Sequence, residues 1–111
     1  NSQTVPLGVL VGEDSVSFGE IFAGVLQDSG RAKLVGQSTL GNVEILHSYY
    51  FQDGSRTWIA EETFDPAVSR ANWETTGIVP DVEVKFTEAD RDAKRDPQLT
   101  KALEIVKAKI K

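Results

Sequence analysis

Residues 7–36 read as a short apolar run, an amphipathic helix and a second short apolar run, and this order constrains the fold more than any other feature. Leu7, Val9, Leu10 and Val11 lie between Pro6 and the polar turn Gly12-Glu13-Asp14, the pattern of a buried strand that ends in a turn. From Phe18 the apolar residues fall at Phe18, Ile21, Phe22, Val25 and Leu26, the i, i+3, i+4, i+7, i+8 stripe of a helix with one buried face. Gly30 is placed to end that helix, and residues 33–36 supply the second strand. Strand, helix and strand within roughly 30 residues make a crossover unit, which predicts a parallel pair.

Beyond the turn at Gly41 and Asn42 the period changes. Residues 44–51 are rich in aromatic and β-branched side chains, Asp53-Gly54 is a turn, and residues 55–61 continue in the same way, which predicts a hairpin. Residues 66–76 mix Pro, Ser, Asn and Thr around Trp73 and read as a long loop anchored by one aromatic ring. Pro80-Asp81 precedes a short strand over 82–84, and the mostly charged residues 85–95 read as a linker. Asp96 is a good N-cap with Pro97 at the first helical position, and Leu99, Leu103, Val106 and Ile110 are expected on the buried face of a last helix. The expected organisation is one α/β domain over residues 1–111, with a core at 6–84, a linker at 85–95 and a closing helix at 96–110.

A chain of 111 residues, 40% hydrophobic and 26% charged, has the makings of one modest core. Its net charge of -5 argues against a nucleic-acid surface, which needs clustered Lys and Arg. No apolar run approaches the roughly 20 residues of a membrane span. Without cysteine and with His47 as the single histidine, a thiolate site, a Cys nucleophile and a His-rich metal centre are all excluded within this chain, and no cofactor is expected. Because the sequence opens at Asn1 and contains no methionine, it reads as a piece of a longer chain, with any signal peptide upstream.

Ser17 stands at the predicted strand-to-helix junction. A hydroxyl there is exposed by the strand end, and the first free N–H groups of the helix, beginning with that of Phe18, suit an oxyanion forming beside it. Such a serine still needs a base. The same residue has an ordinary structural reading, since Ser17 and Glu20 have the S-x-x-E spacing of a capping box. Spacing alone leaves both open. His47 is equally ambiguous, a packed or surface residue or the only histidine base within the chain, and Lys33 reads as solvated at a sheet end. The aromatic set Tyr49, Tyr50, Phe51 and Trp58 reads as hairpin packing or as a peptide or lipid groove. The pairs Glu13-Asp14 and Glu61-Glu62 read as solvated surface.

The run SVSFGEIFAGVLQDSGRAKLVGQSTLGN over residues 15–42 resembles the signature block of the C-terminal-processing (tail-specific) serine peptidases. DGSRTWIAEETFDP, TGIVPDVEV and DPQLTKALEIV, following in that order, resemble the strand beneath that family's active site, its Gly-Ile-x-Pro-Asp block and its closing helix. The resemblance implies a Clp/crotonase-type α/β fold of which this chain is the later half. It implies Ser17 as nucleophile, the Phe18 N–H as oxyanion donor and Asp28 as the acidic position of the family's Gln-Asp step. The implied partners are a polypeptide substrate and the upstream half of the same core, with pairing into a homodimer as one way for a fragment to cover its apolar surface. An extracytoplasmic location is the family's habit. Two departures stand out: the family's general-base lysine falls at Asn42, and the glutamine that supports it falls at Leu46. Three readings follow: an enzyme with a base elsewhere, as in the tricorn-type peptidases; a peptide- or lipid-binding module of the same fold, as in the retinoid-binding repeats; or a degenerate scaffold in a larger protease.

Overall fold

The computed structural model describes residues 3–110. Its centre is a three-stranded parallel sheet of β1 (Gly8–Val11), β2 (Lys33–Gly36) and β5 (Val82–Glu83), in the order β1-β2-β5. Gly8 pairs with Lys33 and Val11 with Gly36, so the predicted crossover and its parallel pair are formed around α1 (Phe18–Asp28). Val9 and Val11 of β1 and Leu34 of β2 point towards the α1 side. There they pack with Ile21, Ala23, Val43, Trp73 and Ile78 in the main core. The other face carries α4 (Pro97–Lys109), set close because Gly8 has no side chain: a Cβ there would lie 3.2 Å from Val106 Cγ2.

The remaining strands, β3 (Ile45–Tyr50) and β4 (Arg56–Glu62), form a separate antiparallel hairpin with an irregularity at Ile45/Leu46. The domain is long: the extents are 60 × 36 × 25 Å and the radius of gyration is 17.2 Å, against the roughly 13 Å of a compact chain this size. Tyr49, Tyr50, Phe51 and Trp58 are all exposed on the hairpin. The expected aromatic packing is therefore not realised among the described residues, because Tyr49 faces Thr57, Tyr50 faces Arg56 and Trp58 faces Ser48 across the ladder.

Three further expectations change. The loop over 66–76 ends in a helical turn, α2 (Trp73–Thr76), capped by the Asn72 side chain. Trp73 is the buried anchor expected of it, stacked on Phe64 with ring centroids 5.9 Å apart. The segment 85–95 holds another short helix, α3 (Glu88–Asp92), because Thr87 and Asp90 form a reciprocal capping box. On α4 the inward face is Ala102 and Val106 rather than the whole predicted stripe, and Leu99, Leu103 and Ile110 are exposed.

Packing in the main core is tight at Gly24, where a Cβ would lie 2.7 Å from Trp73 Cη2 and 2.9 Å from Ile78 Cδ1. Gly24→Ala is expected to destabilise the domain by about 1–3 kcal/mol despite the better helix propensity of alanine, because the rigid indole cannot yield. Urea unfolding followed by tryptophan fluorescence checks this, and an unchanged or higher midpoint contradicts it.

Candidate functional site

At the end of β1 the chain turns through Gly12, whose N–H donates to Ser15 Oγ at 3.1 Å, and enters α1 through Ser17. Of the capping box that the spacing of Ser17 and Glu20 announces, the Glu20 half is well formed, while the Ser17 hydroxyl makes no cap bond. The Ser17 N–H donates to Glu20 Oε2 at 3.0 Å. The Glu20 N–H makes its well-formed bond to the Ser17 carbonyl at 2.9 Å, not to the hydroxyl. The backbone of Ser17, moreover, is unlike that of a cap. Its φ is 58° and its ψ is -131°, whereas an N-cap normally sits in the β region, and a non-glycine residue held there costs about 1–3 kcal/mol.

Glu20 is the hub of the surrounding network. It is fully buried, and its carboxylate accepts from the Thr39 hydroxyl. It also accepts from the N–H of Gly41 at 2.7 Å and from the N–H of Asn42 at 2.9 Å. Burial pushes this carboxyl up, but Thr39, Gly41, Asn42 and Ser17 together outweigh burial and hold it below the ordinary glutamate value. Thr39 in turn receives the Ile78 N–H at 2.7 Å. The turn over 39–42 is thereby pinned to the start of α1, and the Asn42 carbonyl accepts the Ser17 N–H at 3.0 Å. Glu74 of α2 fixes the chain just beyond, its Oε2 accepting from Val43 N–H at 2.7 Å and Glu44 N–H at 3.0 Å.

These contacts bring Ser17, Phe18 and Asn42 into one cleft of about 250 Å³, completed by Ile21, Glu44, Ile45 and Leu46. Phe18 opens α1, so its N–H is one that the helix leaves without an internal acceptor. The lining contains neither lysine nor histidine. His47 is paired instead with Glu62 at 2.9 Å on the exposed hairpin. Lys33 is half exposed and joined to Asp81 at 2.5 Å, a carboxylate that also accepts the Leu34 N–H.

Asp28 is not brought to this cleft. It closes the far end of α1, about 16.5 Å along the axis from Ser17, and its carboxylate accepts from Ser69 N–H at 2.7 Å and Val68 N–H at 2.9 Å. Ser69 and Val68 hold it below the ordinary aspartate range. Its work is to tie down the loop before Trp73. Glu44 and Glu74 carried no motif in the sequence. The part of Glu20 beyond the capping box was foreshadowed only by the Thr-x-Gly turn that it holds.

If Ser17 bears backbone strain, Ser17→Gly is expected to raise the unfolding free energy by about 1 kcal/mol, since glycine adopts φ near 58° at no steric cost. A thermal melt checks this, and a clear loss of stability would mean that the side chain acts chiefly as a cap.

Comparison with known proteins places the chain among peptidases. The pattern described as peptidase family S41 matches residues 1–84. The chain is 40% identical over 79 residues to carboxyl-terminal-processing peptidase 3, chloroplastic, of Arabidopsis thaliana, covering 70% of this chain and 15% of that protein. Among solved structures, the photosystem II D1 C-terminal processing protease superposes with a TM-score of 0.62 at 30% identity, over 71% of this chain and 20% of that one. The tricorn protease superposes with a TM-score of 0.81 at 26% identity, over 93% of this chain and 10% of that one. The chain thus spans a fifth or less of the length of each of these relatives.

Proposed function

Because the chain belongs to peptidase family S41, we propose that it is the later half of a serine-peptidase core of the Clp/crotonase type, cleaving polypeptides near their C-termini with Ser17 as nucleophile. The observation that carries this reading is the positive φ of Ser17 at a strand-to-helix junction tied to Asn42. A serine that only capped α1 would gain nothing from that conformation, whereas a nucleophile gains exposure at the helix N-terminus. In the proposed reaction Ser17 Oγ bonds to the scissile carbonyl carbon as its proton passes to a base. The Phe18 N–H donates to the oxyanion; the base then returns the proton to the leaving nitrogen as the C–N bond breaks, and the acyl-enzyme is hydrolysed by a water that the same base deprotonates.

The cleft holds no lysine or histidine, Asn42 is a neutral amide that cannot accept the proton, and the carboxylate in the lining, Glu44, has a buried Oε2; this reading therefore takes its base from the upstream half of the core. Phe18 and Phe22 are 77% and 65% exposed on α1, a surface that the upstream half of the core would cover. The 111 residues alone are accordingly expected to be inactive. A working place outside the cytoplasm belongs to the same proposal. Asn42 favours the second reading, a non-catalytic peptide- or lipid-binding module of the same fold.

A fluorophosphonate probe separates the two. Labelling of the full-length protein that vanishes in Ser17→Ala supports an activated nucleophile, and a well-folded protein that takes no label supports the binding module.

A further inference from the structure

The closing helix carries more apolar surface than the sheet uses. Leu99, Leu103, Val106 and Ile110 follow one another at spacings of four, three and four residues, the seam along which one helix packs against another. Ala102 and Val106 meet β1 at Gly8, yet Leu99 and Leu103 are each 45% exposed and Ile110 is 62% exposed. Three large apolar side chains in one row on one helix make a contiguous patch rather than the scattered apolar residues of an ordinary surface. The row belongs to the sheet face away from α1, so a segment that covers Phe18 and Phe22 does not cover it.

The charges on α4 select the occupant. Asp96 caps its start, and Lys107 and Lys109 stand in its last turn, so the helix is negative at one end and positive at the other. A second α4 laid antiparallel sets each lysine-bearing end beside the other's Asp96 and opposes the two helix dipoles, whereas a parallel one stacks lysine on lysine. The seam is self-complementary in the same sense. About a two-fold axis between Glu104 and Ile105, Leu99 meets the partner's Ile110 and Leu103 meets the partner's Val106, and both contacts recur across the axis. We propose that α4 is a dimerisation face, on which a second copy of this chain docks its own α4 antiparallel. A helix of about 20 Å offers less area than a standard interface, so the dimer is expected at roughly tens of micromolar protein. The proposal goes beyond the peptidase reading and does not rest on it.

Sedimentation velocity of the full-length protein, over a series reaching about 200 µM, is expected to show a reversible monomer–dimer equilibrium. Leu103→Glu changes an exposed position and should leave the thermal melt unchanged. It is expected to weaken association at least about a hundredfold, since two leucines leave the interface and each accounts for roughly tenfold. Orientation is read by cross-linking, to which these 111 residues contribute no cysteine of their own. On mild oxidation, Leu99→Cys combined with Ile110→Cys is expected to give a disulfide-linked dimer, and Leu99→Cys alone is not. A protein that stays monomeric across the series overturns the proposal, and so does a dimer that Leu103→Glu leaves intact. If Leu103→Glu alters the melt, the cross-link decides, and a dimer in which the double variant forms no disulfide overturns the proposal. Cross-linking through Leu99→Cys alone, the mark of a parallel pair, overturns it too.

Discussion

Ser17→Ala in the full-length protein is expected to lower peptide hydrolysis by at least about a thousandfold while leaving the fold intact. The loss follows from chemistry that no neighbour can replace: among the residues lining the cleft, no other side chain is placed to form an acyl-enzyme. The small cost in stability follows from the geometry. Alanine pays the same backbone strain at φ 58° as serine, and the Ser17 N–H keeps its partners Asn42 and Glu20, so the change should stay within about 1 kcal/mol, a cap's worth. Initial rates on a peptide substrate, read beside urea midpoints of both proteins, check the two halves separately. Turnover that persists in a folded Ser17→Ala protein would reduce Ser17 to a helix cap.

Glu20→Gln is expected to cost on the order of 3–5 kcal/mol, a large part of the roughly 5–15 kcal/mol that holds a domain together. The carboxylate now serves Ser17, Thr39, Gly41 and Asn42 with two acceptor oxygens. Glutamine keeps one of these and turns the other into a donor facing N–H groups, so at least one buried donor loses its partner and meets another donor. The loss should depend on pH. The carboxyl is held below its ordinary value of 4.5, so its contribution is complete above that value and is lost as pH falls through the depressed folded value. The gap between the two proteins should therefore be full at pH 7 and narrow at lower pH. Equal urea midpoints at pH 7, or a gap that widens on acidification, would contradict this account. A variant that still folds should also lose activity, because the Thr39 to Asn42 turn would no longer be pinned to Ser17.

Several elements were legible because their causes are local. The stripe from Phe18 to Leu26 and the runs on either side of it announced β1, α1 and β2, and the parallel pairing followed from the short connection. Asp53-Gly54 marked the hairpin, and Asp96 with Pro97 marked the start of α4, since caps and turns are satisfied by neighbours a few residues away. The two short helices at Trp73 and Glu88 escaped notice because each is a single capped turn, too short to show a period. Asp28 was misplaced for another reason: its position in a motif suggested the site, while its hydrogen bonds run to the loop at Val68 and Ser69, some 40 residues away in sequence.

The serine at the junction, its S-x-x-E spacing and the missing lysine at Asn42 were all determined by the sequence. Tertiary structure alone decided that Ser17 has a positive φ, that Glu20 gathers four donors from two segments, that Glu44 Oε2 is buried with no hydrogen-bond partner among the described residues, and that Phe18, Phe22 and Val25 of the α1 stripe are left exposed. A side chain's period and its cap depend on residues within a turn of it. Its charge partners and the face it buries depend on where distant segments return, and that path is set by the packing of the whole chain.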